Sequence, residues 1–417
     1  MNTMNVQTLK GFRDFLPNEA RKRQYVINIL KNTFESFGFE PLETPALEYE
    51  EILLGKYGEE GDKLMYRFED NGGRKVALRY DQTVPLARVV AELGQQLPTP
   101  FKRYQIQPVW RAENTQKGRF REFLQCDIDT VGTNSLNADA EIVACAIKSL
   151  EGLGFKDFKI ILNDRENLKF YGLGFVLSPD KNILAVRSID KIKKIGREGV
   201  LGDLIKNGFS TEQATFILQK VESTEPTENI KSIFKSLNDM GVNENRYEFS
   251  PTLARGMDYY TGMILEIEVE GYEIGSVGGG GRYDNLVGMF SKTQVPAVGF
   301  AFGFDRLVEA MEQLDLFPKD LTTTKVLVTV FNMELGAKSI EISSKLRSNN
   351  INTELWLDPE TKLEKQLKYA DQKEIPYVII IGDEEAKNNT VTLKNLKDRT
   401  QKTTSLDEAV NQLRTKN

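Results

Sequence analysis

The sequence contains no histidine among its 417 residues, and this absence excludes several classes of function. A Ser-His-Asp or Cys-His hydrolase needs histidine as its base. An H-E-x-x-H zinc site and a histidine-ligated haem need it as a ligand, and the HRD loop of protein kinases contains it. Acid–base chemistry must therefore use Asp, Glu, Lys, Tyr or water, and catalysis by charge and positioning remains open.

Cysteine is also scarce, with Cys126 and Cys145 as the two in the chain. Two isolated thiols form neither a disulfide framework nor a zinc cluster. The polar stretch after Met1 does not fit a signal peptide, and the longest apolar run, residues 377–381, is far too short to cross a bilayer. We therefore expect a cytoplasmic protein with no membrane partner.

Neither sign of charge dominates the composition. The chain has 55 Lys and Arg against 61 Asp and Glu, a net charge of −6. This excludes a protein that coats DNA through its overall charge, but local basic surface could still bind a nucleic acid. The length allows two or three domains, each with its own core.

Hydrophobic spacing predicts a mixed helix and strand chain. Apolar residues recur at helical spacing over residues 18–37, with Asn18 as the expected N-cap. Strands are predicted at 103–110 and 123–131, which flank a polar loop, and at 263–269 and 272–277.

Composition and hydrophobic spacing also divide the chain into domains. Residues 166–246 look helical and polar, with a basic stretch at 191–197, and are predicted as an insertion between 1–165 and 247–321. After a boundary near 321–324, strands and helices alternate. Residues 325–417 are therefore predicted to form a small α/β domain.

The second strand of the hairpin separates two kinds of side chain, because side chains alternate along a strand. The apolar face carries Leu124, Cys126 and Ile128. The polar face carries Phe123, Gln125, Asp127 and Asp129. A polar face can simply be solvated.

The cations around this hairpin are Arg111, Lys117, Arg119 and Arg121. Since guanidinium groups fit phosphates and an aromatic ring can stack on a base, the hairpin is also a candidate nucleotide site.

Three further clusters combine small residues with charged or aromatic ones. Residues 253–262 place an arginine, an acid and two phenols between glycines, which is also compatible with a simple turn. The glycine run in 278–284 allows close approach to a ligand, or merely a bend. In 299–307, Arg306 falls at the start of a predicted helix, where a bound anion would offset the unfavourable helix dipole.

Taken together and in order, these motifs resemble the class II aminoacyl-tRNA synthetases, and among them the histidyl-tRNA synthetase family. The likeness covers almost the whole chain. The class motifs 1, 2 and 3 are matched by the helix at Asn18 with Pro45, by 111–129 and by 299–306. The stretches typical of the histidine enzymes are 10–14, 255–260 and 278–284.

The resemblance implies an α+β fold: a class II antiparallel sheet flanked by helices, a helical insertion and a C-terminal α/β anticodon-binding domain. It implies a homodimer built through motif 1. It also implies an aminoacyl-tRNA ligase that joins L-histidine to tRNA(His) through a histidyl-adenylate, with ATP as substrate and Mg²⁺. A carboxylate is already a nucleophile, so this reaction needs no general base and is compatible with a chain that lacks histidine.

The resemblance also implies a role for each matched residue. Arg111 and Arg255 would be the catalytic cations. The residues that would bind histidine are Asp81, Thr83, Arg111, Gln125, Asp129, Arg255, Tyr259 and Tyr260. The residues that would bind ATP are Arg111, Glu113, Arg119, Arg121, Phe123 and Arg306. Gln116 would face the acceptor end of tRNA, and no metal-binding residue is implied.

Within these sets the implied roles are more specific. Asp81 and Thr83 would hold the α-amino group, with Gln125 nearby. Asp129 and Tyr260 would read the imidazole. Phe123 would stack on the adenine, Glu113 would lie near its amino group, and Arg111 would grip the α-phosphate and the substrate carboxylate. Arg119 or Arg121, together with Arg306, would hold the β- and γ-phosphates.

Two departures from the family pattern stand out. The family usually has an acid, leucine and threonine where this chain has Asp81, Gln82 and Thr83. In the hairpin loop, Asn114 and Thr115 replace the more common Arg-Pro or Asn-Pro. The end residues of the first motif are retained, so its assignment is kept.

Three alternatives compete with the ligase. A synthetase-like regulatory subunit of ATP phosphoribosyltransferase shares the catalytic fold, but it typically lacks the C-terminal domain and has a degraded motif 2. A sensor of uncharged tRNA and another class II synthetase, such as the prolyl or threonyl enzyme, are the others. The lack of histidine has two open explanations: synthesis that continues when histidine is scarce, or compositional drift or engineering.

Overall fold

The computed structural model describes residues 6–54, 65–115, 118–172, 175–254, 259–291 and 293–414. The chain separates into two compact units. The first comprises the segment up to Asp14 and Arg23–Phe317, and the second comprises Phe15–Lys22 and the residues from Pro318 onward.

In the first unit, and in residues 17–22 that continue into it, the described residues form helices and strands in a mixed order. The helices are α1 (Pro17–Ser36), α2 (Glu50–Leu53), α3 (Thr83–Leu93), α4 (Leu136–Gly152), α5 (Pro179–Ile189), α6 (Ile192–Lys206), α7 (Thr211–Glu222), α8 (Glu228–Asp239) and α9 (Phe304–Gln313). The strands are β1 (Glu40–Pro41), β2 (Leu47–Tyr49), β3 (Arg67–Glu69), β4 (Lys75–Leu78), β5 (Phe101–Trp110), β6 (Glu122–Val131), β7 (Phe158–Asp164), β8 (Tyr171–Gly172), β9 (Phe175–Val176), β10 (Tyr247–Phe249), β11 (Met263–Val269), β12 (Gly278–Arg282) and β13 (Ala297–Gly303).

An eight-stranded sheet is the frame of this unit, with strand order β1-β5-β6-β13-β12-β11-β7-β10. Its inner pairs are antiparallel, while the two edge strands β1 and β10 pair in parallel. Helices flank the sheet, so the predicted α+β fold with an antiparallel sheet is confirmed.

The main hydrophobic core lies on one face of this sheet. Cys126 and Ile128 of β6 pack there with Phe34 of α1, Ile142 of α4 and Leu307 of α9. Alternation leaves the odd-numbered residues of β6 on the opposite face. The predicted division of this strand into an apolar and a polar face is therefore confirmed.

A buried ion pair joins β12 to α4. Arg282 Nε donates to Asp139 Oδ1 at 3.1 Å, and Arg282 Nη1 lies 3.2 Å from Asp284 Oδ1. Arg282 Nη1 also donates to the carbonyl of Thr133 at 3.1 Å, just before α4. Ser135 caps this helix by accepting from the backbone N–H of Asn137. These contacts position the glycine-rich strand against the helix layer.

The elements differ from the predictions in two places. Helix α1 begins at Pro17, so Asn18 lies within its first turn and is not the N-cap. The predicted strand at 272–277 is wrong: the chain turns there, and the glycine run that follows forms β12. Glycine has a low propensity for strands. At position 280 it is nevertheless required, because a Cβ on Gly280 would lie 2.1 Å from the carbonyl oxygen of Gly299.

The predicted insertion contains α5 to α8 and the two-stranded sheet of β8 and β9. Helices α5, α6 and α7 share a core that includes Ile189, Leu204 and Leu218. Helix α8 instead packs into the main core through Ile230, Ile233 and Leu237.

The basic stretch of the insertion is largely paired with acids. Lys191 and Asp203 are 2.8 Å apart, and Arg197 and Glu222 are also 2.8 Å apart. Lys193 pairs with Glu268. These internal partners reduce the positive charge that the stretch presents to solvent.

The second unit contains a five-stranded sheet of order β15-β14-β16-β17-β18. Its strands are β14 (Val326–Val328), β15 (Thr353–Leu355), β16 (Tyr377–Ile380), β17 (Thr390–Asn395) and β18 (Thr400–Ser405). Its helices are α10 (Gly336–Ser348), α11 (Leu363–Gln372), α12 (Asp383–Asn388) and α13 (Leu406–Arg414). Separate apolar clusters, one around Val328 and one around Leu327, cover the two faces of the sheet. Across the described parts of both units, no helix is long and apolar enough to cross a membrane.

We expect Asp139→Asn to destabilise the first unit by about 3 kcal/mol, because it leaves the buried Arg282 guanidinium without its main counter-charge. Denaturant unfolding followed by circular dichroism would measure this. Asp239→Asn is the matched control, since it breaks an exposed pair with Lys235 and should cost less than about 0.5 kcal/mol. An equal loss of unfolding free energy in the two variants would contradict a stabilising role for the buried pair.

Candidate active site

A cavity of about 840 Å³ opens on the face of the main sheet opposite the core. Its walls come from β6, β12 and β13, from the start of α3 and from α5 of the insertion. The hairpin of β5 and β6, the glycine strand and the junction of β13 with α9 therefore meet at one place. These are the motifs that the sequence analysis singled out.

The polar face of β6 forms the floor of this cavity. Gln125, Asp127 and Asp129 are only 8%, 2% and 3% exposed. The alternative of a solvated polar face is therefore wrong. Three buried polar side chains in a row need partners or a ligand, because an unsatisfied buried polar group is costly.

Small residues on β13 leave room above that floor. Gly299, Ala301 and Gly303 stand opposite Asp129, Asp127 and Gln125 in the strand register. At Gly299, a Cβ would lie 1.8 Å from Asp129 Oδ1. Glycine is therefore needed here for close approach of the carboxylate.

Asp129 is held from two sides. Arg103 of β5 is fully buried, and its Nη2 lies 2.7 Å from Asp129 Oδ2. The Tyr283 hydroxyl donates to Asp129 Oδ1. Burial raises the pKa of Asp129, and Arg103 and Tyr283 oppose that rise. The result is an acceptor fixed in a dry part of the cavity.

Two further acids lie nearby. Burial raises the pKa of Asp81 to about 7, against the opposing backbone N–H of Val84 and the charges of Arg111 and Arg103. Burial likewise raises the pKa of Asp127 to about 8, against the charge of Arg103. Acids crowded in a buried site favour an added cation. The floor is therefore suited to an ammonium group.

Tyrosines close the inner end of the cavity. The ring centroids of Tyr259 and Tyr260 are 4.5 Å apart, and Tyr283 meets Tyr259 edge-on at 5.8 Å. Burial holds the pKa of Tyr259 and of Tyr283 well above the usual value. These phenols stay neutral and present both an aromatic surface and hydroxyl groups.

The mouth of the cavity is cationic and aromatic. Arg111 Nε donates to the carbonyl of Tyr80 at 3.0 Å, and its guanidinium carbon lies 5.2 Å from the centre of the Phe123 ring. Glu113 lies 3.9 Å from Arg111 and 3.5 Å from Arg119. This combination fits an anion with an attached planar base.

The first turn of α9 supplies the other side of the mouth. Arg306 Nη1 donates to the carbonyl of Ser276 at 3.1 Å, which places the guanidinium beside the glycine strand. The neighbouring Asp305 accepts from Arg13 at 2.7 Å and from Arg23 at 2.6 Å. The N-terminal segment is thereby tied to α9, and Arg306 stays in the cavity.

Most of the predicted site residues are brought together. Those that line the cavity are Asp81, Thr83, Arg111, Glu113, Arg119, Phe123, Gln125, Asp129, Tyr259, Tyr260 and Arg306. Arg121 is not among the lining residues; its Nε donates to the carbonyl of Glu113 and its Nη1 to that of Lys10. Arg255 and Gln116 lie outside the described residues.

Sequence reasoning missed three side chains of the site. Asp127 could have been found, because it shares the face of Gln125 and Asp129. Arg103 stands opposite Asp129 in the β5–β6 register, but the register depends on the loop and was not predictable from spacing. Tyr283 belongs to a motif that was noticed, yet its contact with Asp129 links residues 154 positions apart in the chain.

Metal ligands of the chain itself are not evident in the cavity. Among the described residues, no group of three or more His, Cys, Asp or Glu side chains could hold a metal ion. The charge of Arg103 instead acts on all three acids of the floor, Asp81, Asp127 and Asp129.

Comparison with known proteins agrees with this geometry. A family model described as histidyl-tRNA synthetase matches residues 11–169 and 177–307, and one described as an anticodon binding domain matches 325–416. A histidine–tRNA ligase of Cytophaga hutchinsonii is 39% identical over 447 residues, covering 97% of this chain and 98% of that protein.

Solved structures show the same similarity. The crystal structure of histidyl-tRNA synthetase from Nostoc sp. PCC 7120 has a TM-score of 0.87 and 30% identity, and the match covers 99% of this chain and 100% of that one. A Bacillus halodurans C structure titled as an ATP phosphoribosyltransferase regulatory subunit/histidyl-tRNA synthetase has a TM-score of 0.73 at 23% identity, covering 90% and 98% of the two chains. The second likeness shows the fold alone.

We expect Asp127→Asn to stabilise the protein at alkaline pH. An acid whose pKa is higher in the folded than in the unfolded state holds its proton better when folded. Stability is then greatest below the unfolded value of 3.8 and falls as the pH rises towards about 8. One pKa unit corresponds to about 1.4 kcal/mol, so a gain of at least ~1 kcal/mol is expected at pH 8.5.

Unfolding of both proteins from pH 5 to pH 8.5 would measure the gain, which should shrink as the pH falls. Asp70→Asn is the control of opposite sign, because a side-chain hydrogen bond from Arg74 lowers the pKa of Asp70. That variant should be no more stable than the wild type. A gain for Asp127→Asn that does not depend on pH would contradict the explanation.

Proposed function

Because this chain belongs to the histidyl-tRNA synthetase family and is an aminoacyl-tRNA ligase that charges tRNA with histidine, we propose that the cavity on the main sheet is its active site. In the first step, the carboxylate of L-histidine attacks the α-phosphorus of ATP, giving histidyl-adenylate and pyrophosphate. In the second, the histidyl group moves to the terminal adenosine of tRNA(His), and AMP leaves.

One observation carries this assignment: an acid-lined, buried floor lies directly inside a cationic, aromatic mouth. A zwitterionic amino acid fits such a gradient, with its ammonium inward and its carboxylate outward. The carboxylate then lies where the α-phosphate of a nucleotide at the mouth would be. Positioning of this kind can supply much of the rate enhancement of a two-substrate reaction.

Selection of histidine would depend on Asp129. Its carboxylate is fixed by Arg103 and Tyr283, so it can accept an N–H from an imidazole ring without rearrangement. The Tyr260 side chain lines the same region. An amino acid that lacks a matching N–H would leave the buried carboxylate without that partner, which penalises the wrong substrate.

Activation requires two anions to approach each other. We propose that Arg111 contacts both the substrate carboxylate and the α-phosphate, and that Arg255 is the second cation at the reacting centre. A cation that faces the developing charge lowers the barrier without any proton transfer. This division of work needs no general base.

ATP would occupy the mouth of the cavity. The Phe123 ring would stack on the adenine, with Glu113 near the exocyclic amino group. Arg119 and Arg306 would hold the outer phosphates; Arg121, bonded to backbone carbonyls, is the weaker of the two hairpin candidates. Because Mg²⁺ commonly binds through substrate phosphates with several waters retained, we propose that it enters with ATP.

The tRNA contacts would be divided between the two units. Residues 325–417 would bind the anticodon, and Gln116 of the hairpin loop would face the acceptor end. We place this activity in the cytoplasm. The regulatory and sensor alternatives are less well supported, because the cavity keeps Arg111, Glu113 and Arg306 and the chain has an anticodon-binding domain.

We also propose a homodimer formed through the small sheet of order β2-β4-β3. Leu47, Tyr49 and Phe68 on this sheet are 43%, 53% and 48% exposed. Tyr49 and Phe68 both pair with Val76, so they share one face. An exposed apolar sheet face next to motif 1 fits a contact with a second copy of the chain.

We expect ATP–pyrophosphate exchange with L-histidine and with none of the other nineteen amino acids. Asp129→Asn should raise the KM for histidine by roughly 10- to 100-fold, because a charged acceptor is lost from a dry site. Asp190→Asn is the matched control, because Asp190 also lines the cavity but lies on the wall formed by the insertion. The KM of this variant for histidine should stay within about twofold of the wild-type value. Folded protein that is silent with all twenty amino acids would overturn the enzyme assignment.

For the dimer, we expect the wild type to sediment at twice the mass of the chain and Tyr49→Asp to sediment as a single chain. A buried unpaired carboxylate at an apolar interface would disfavour association. Leu357→Asp serves as the control, because Leu357 is 87% exposed but lies in the second unit. A monomeric wild type, or dissociation in the control alone, would contradict the proposed interface.

A further inference from the structure

One carboxylate on the floor, Asp127, has no role among those proposed above. Both of its oxygens accept from Gln125 Nε2, at 3.1 and 3.2 Å. Arg103 lies 2.7 Å from Asp129 but 4.0 Å from Asp127. Asp127 is therefore engaged mainly with the amide of Gln125.

This contact decides which way the amide points. An amide has a donor end and an acceptor end, whereas a carboxylate only accepts. With Nε2 held by Asp127, the Oε1 atom of Gln125 is buried and has no hydrogen-bond partner among the described residues. The reversed amide would bring Oε1 against a carboxylate oxygen, and two acceptors would face each other. In its ionised form, Asp127 thus selects the orientation that leaves an acceptor available in the cavity.

We propose that Asp127 is a positioning residue for the substrate: it fixes the Gln125 amide so that Oε1 accepts an N–H of the α-ammonium group of histidine. This inference rests on the proposed function of the cavity. An ammonium group has three donors to satisfy. Asp81 and Thr83 line the same cavity and would accept the others.

The charges around the floor are compatible with this role. The charged groups that act on Asp127 are Arg103 on β5, the buried Arg79 after β4, Asp129 on the same strand and Asp81 before α3, while β13 presents Ala301 there. Burial raises the pKa of Asp127 to about 8 against the effect of Arg103. An arriving ammonium favours the ionised form of Asp127, which is the form that holds the amide. Substrate binding and amide orientation therefore support each other.

A double-mutant cycle separates positioning from direct charge attraction. Gln125→Met removes the amide at similar length, and Asp127→Asn removes the carboxylate at similar volume. We expect each single variant to raise the KM and the calorimetric Kd for histidine by about tenfold, since a hydrogen bond to a charged group is weakened or lost. In the Gln125→Met background, Asp127→Asn should add less than about twofold, because no amide remains to be oriented.

Additive effects, about 100-fold in the double variant, would overturn the proposal and assign Asp127 a direct electrostatic role. No effect of Asp127→Asn would overturn it as well. The KM for ATP should stay within about twofold throughout. Because Asp127→Asn is expected to be the more stable protein, a loss of affinity would not result from unfolding.

A second probe tests whether the ammonium is the group concerned. The analogue 3-(imidazol-4-yl)propionate lacks the amino group, so its inhibition constant should be the same for the wild type and Asp127→Asn. A higher inhibition constant of the analogue for Asp127→Asn than for the wild type would show that Asp127 acts on the imidazole or on the fold. That result would overturn the proposal. Absence of exchange in the wild type would instead count against the proposed function, and the calorimetric cycle would still test the positioning role.

Discussion

The site depends on one buried charge, the guanidinium of Arg103. It is fully buried, it contacts Asp129 at 2.7 Å, and its Nη1 donates to Gln105 Oε1 at 3.3 Å. Without it, Asp129 would lose its buried ion pair, and only the charges of Arg111 at Asp81 and of Arg79 at Asp127 would remain among the described residues to offset the acids of the floor. Arg103, held on the neighbouring strand β5, lowers the pKa of all three acids and is therefore the cation that they share.

The polar network around Arg103 extends well beyond the cavity. Gln105 Nε2 donates to Thr44 Oγ1 at 2.9 Å and to Gln107 Oε1 at 2.6 Å, and the buried Arg79 donates to the Thr44 carbonyl at 2.5 Å. Thr44 precedes β2, which carries the exposed apolar face assigned to dimer contact. Buried hydrogen bonds therefore connect the floor of the cavity with the segment that leads into that face. Each buried hydrogen bond of this network restricts the packing around it, and Arg103 Nε is a member without a hydrogen-bond partner among the described residues.

Much of this arrangement could be predicted from the sequence, and the failures have physical causes. The alternation of apolar and polar residues along 123–131 predicted which side chains face the core. It could do so because successive side chains of a strand point to opposite faces, and here one face is apolar. The strand predicted at 272–277 was wrong because the actual strand is the glycine run of β12. Glycine is needed there because β13 approaches closely, although glycine has a low β propensity. Arg103 and Tyr283 were missed because their partner, Asp129, is brought to them by strand register and long-range pairing. Spacing within one segment does not report such contacts.

The absence of histidine has a practical consequence when it is combined with the buried floor. A sample of this protein contains no imidazole except that of the added amino acid. In a complex labelled with 15N, the ring nitrogens of bound histidine can therefore be followed by magnetic resonance without imidazole signals from the chain. The tautomer and protonation state of the substrate at the proposed contact with Asp129 would thereby become directly observable.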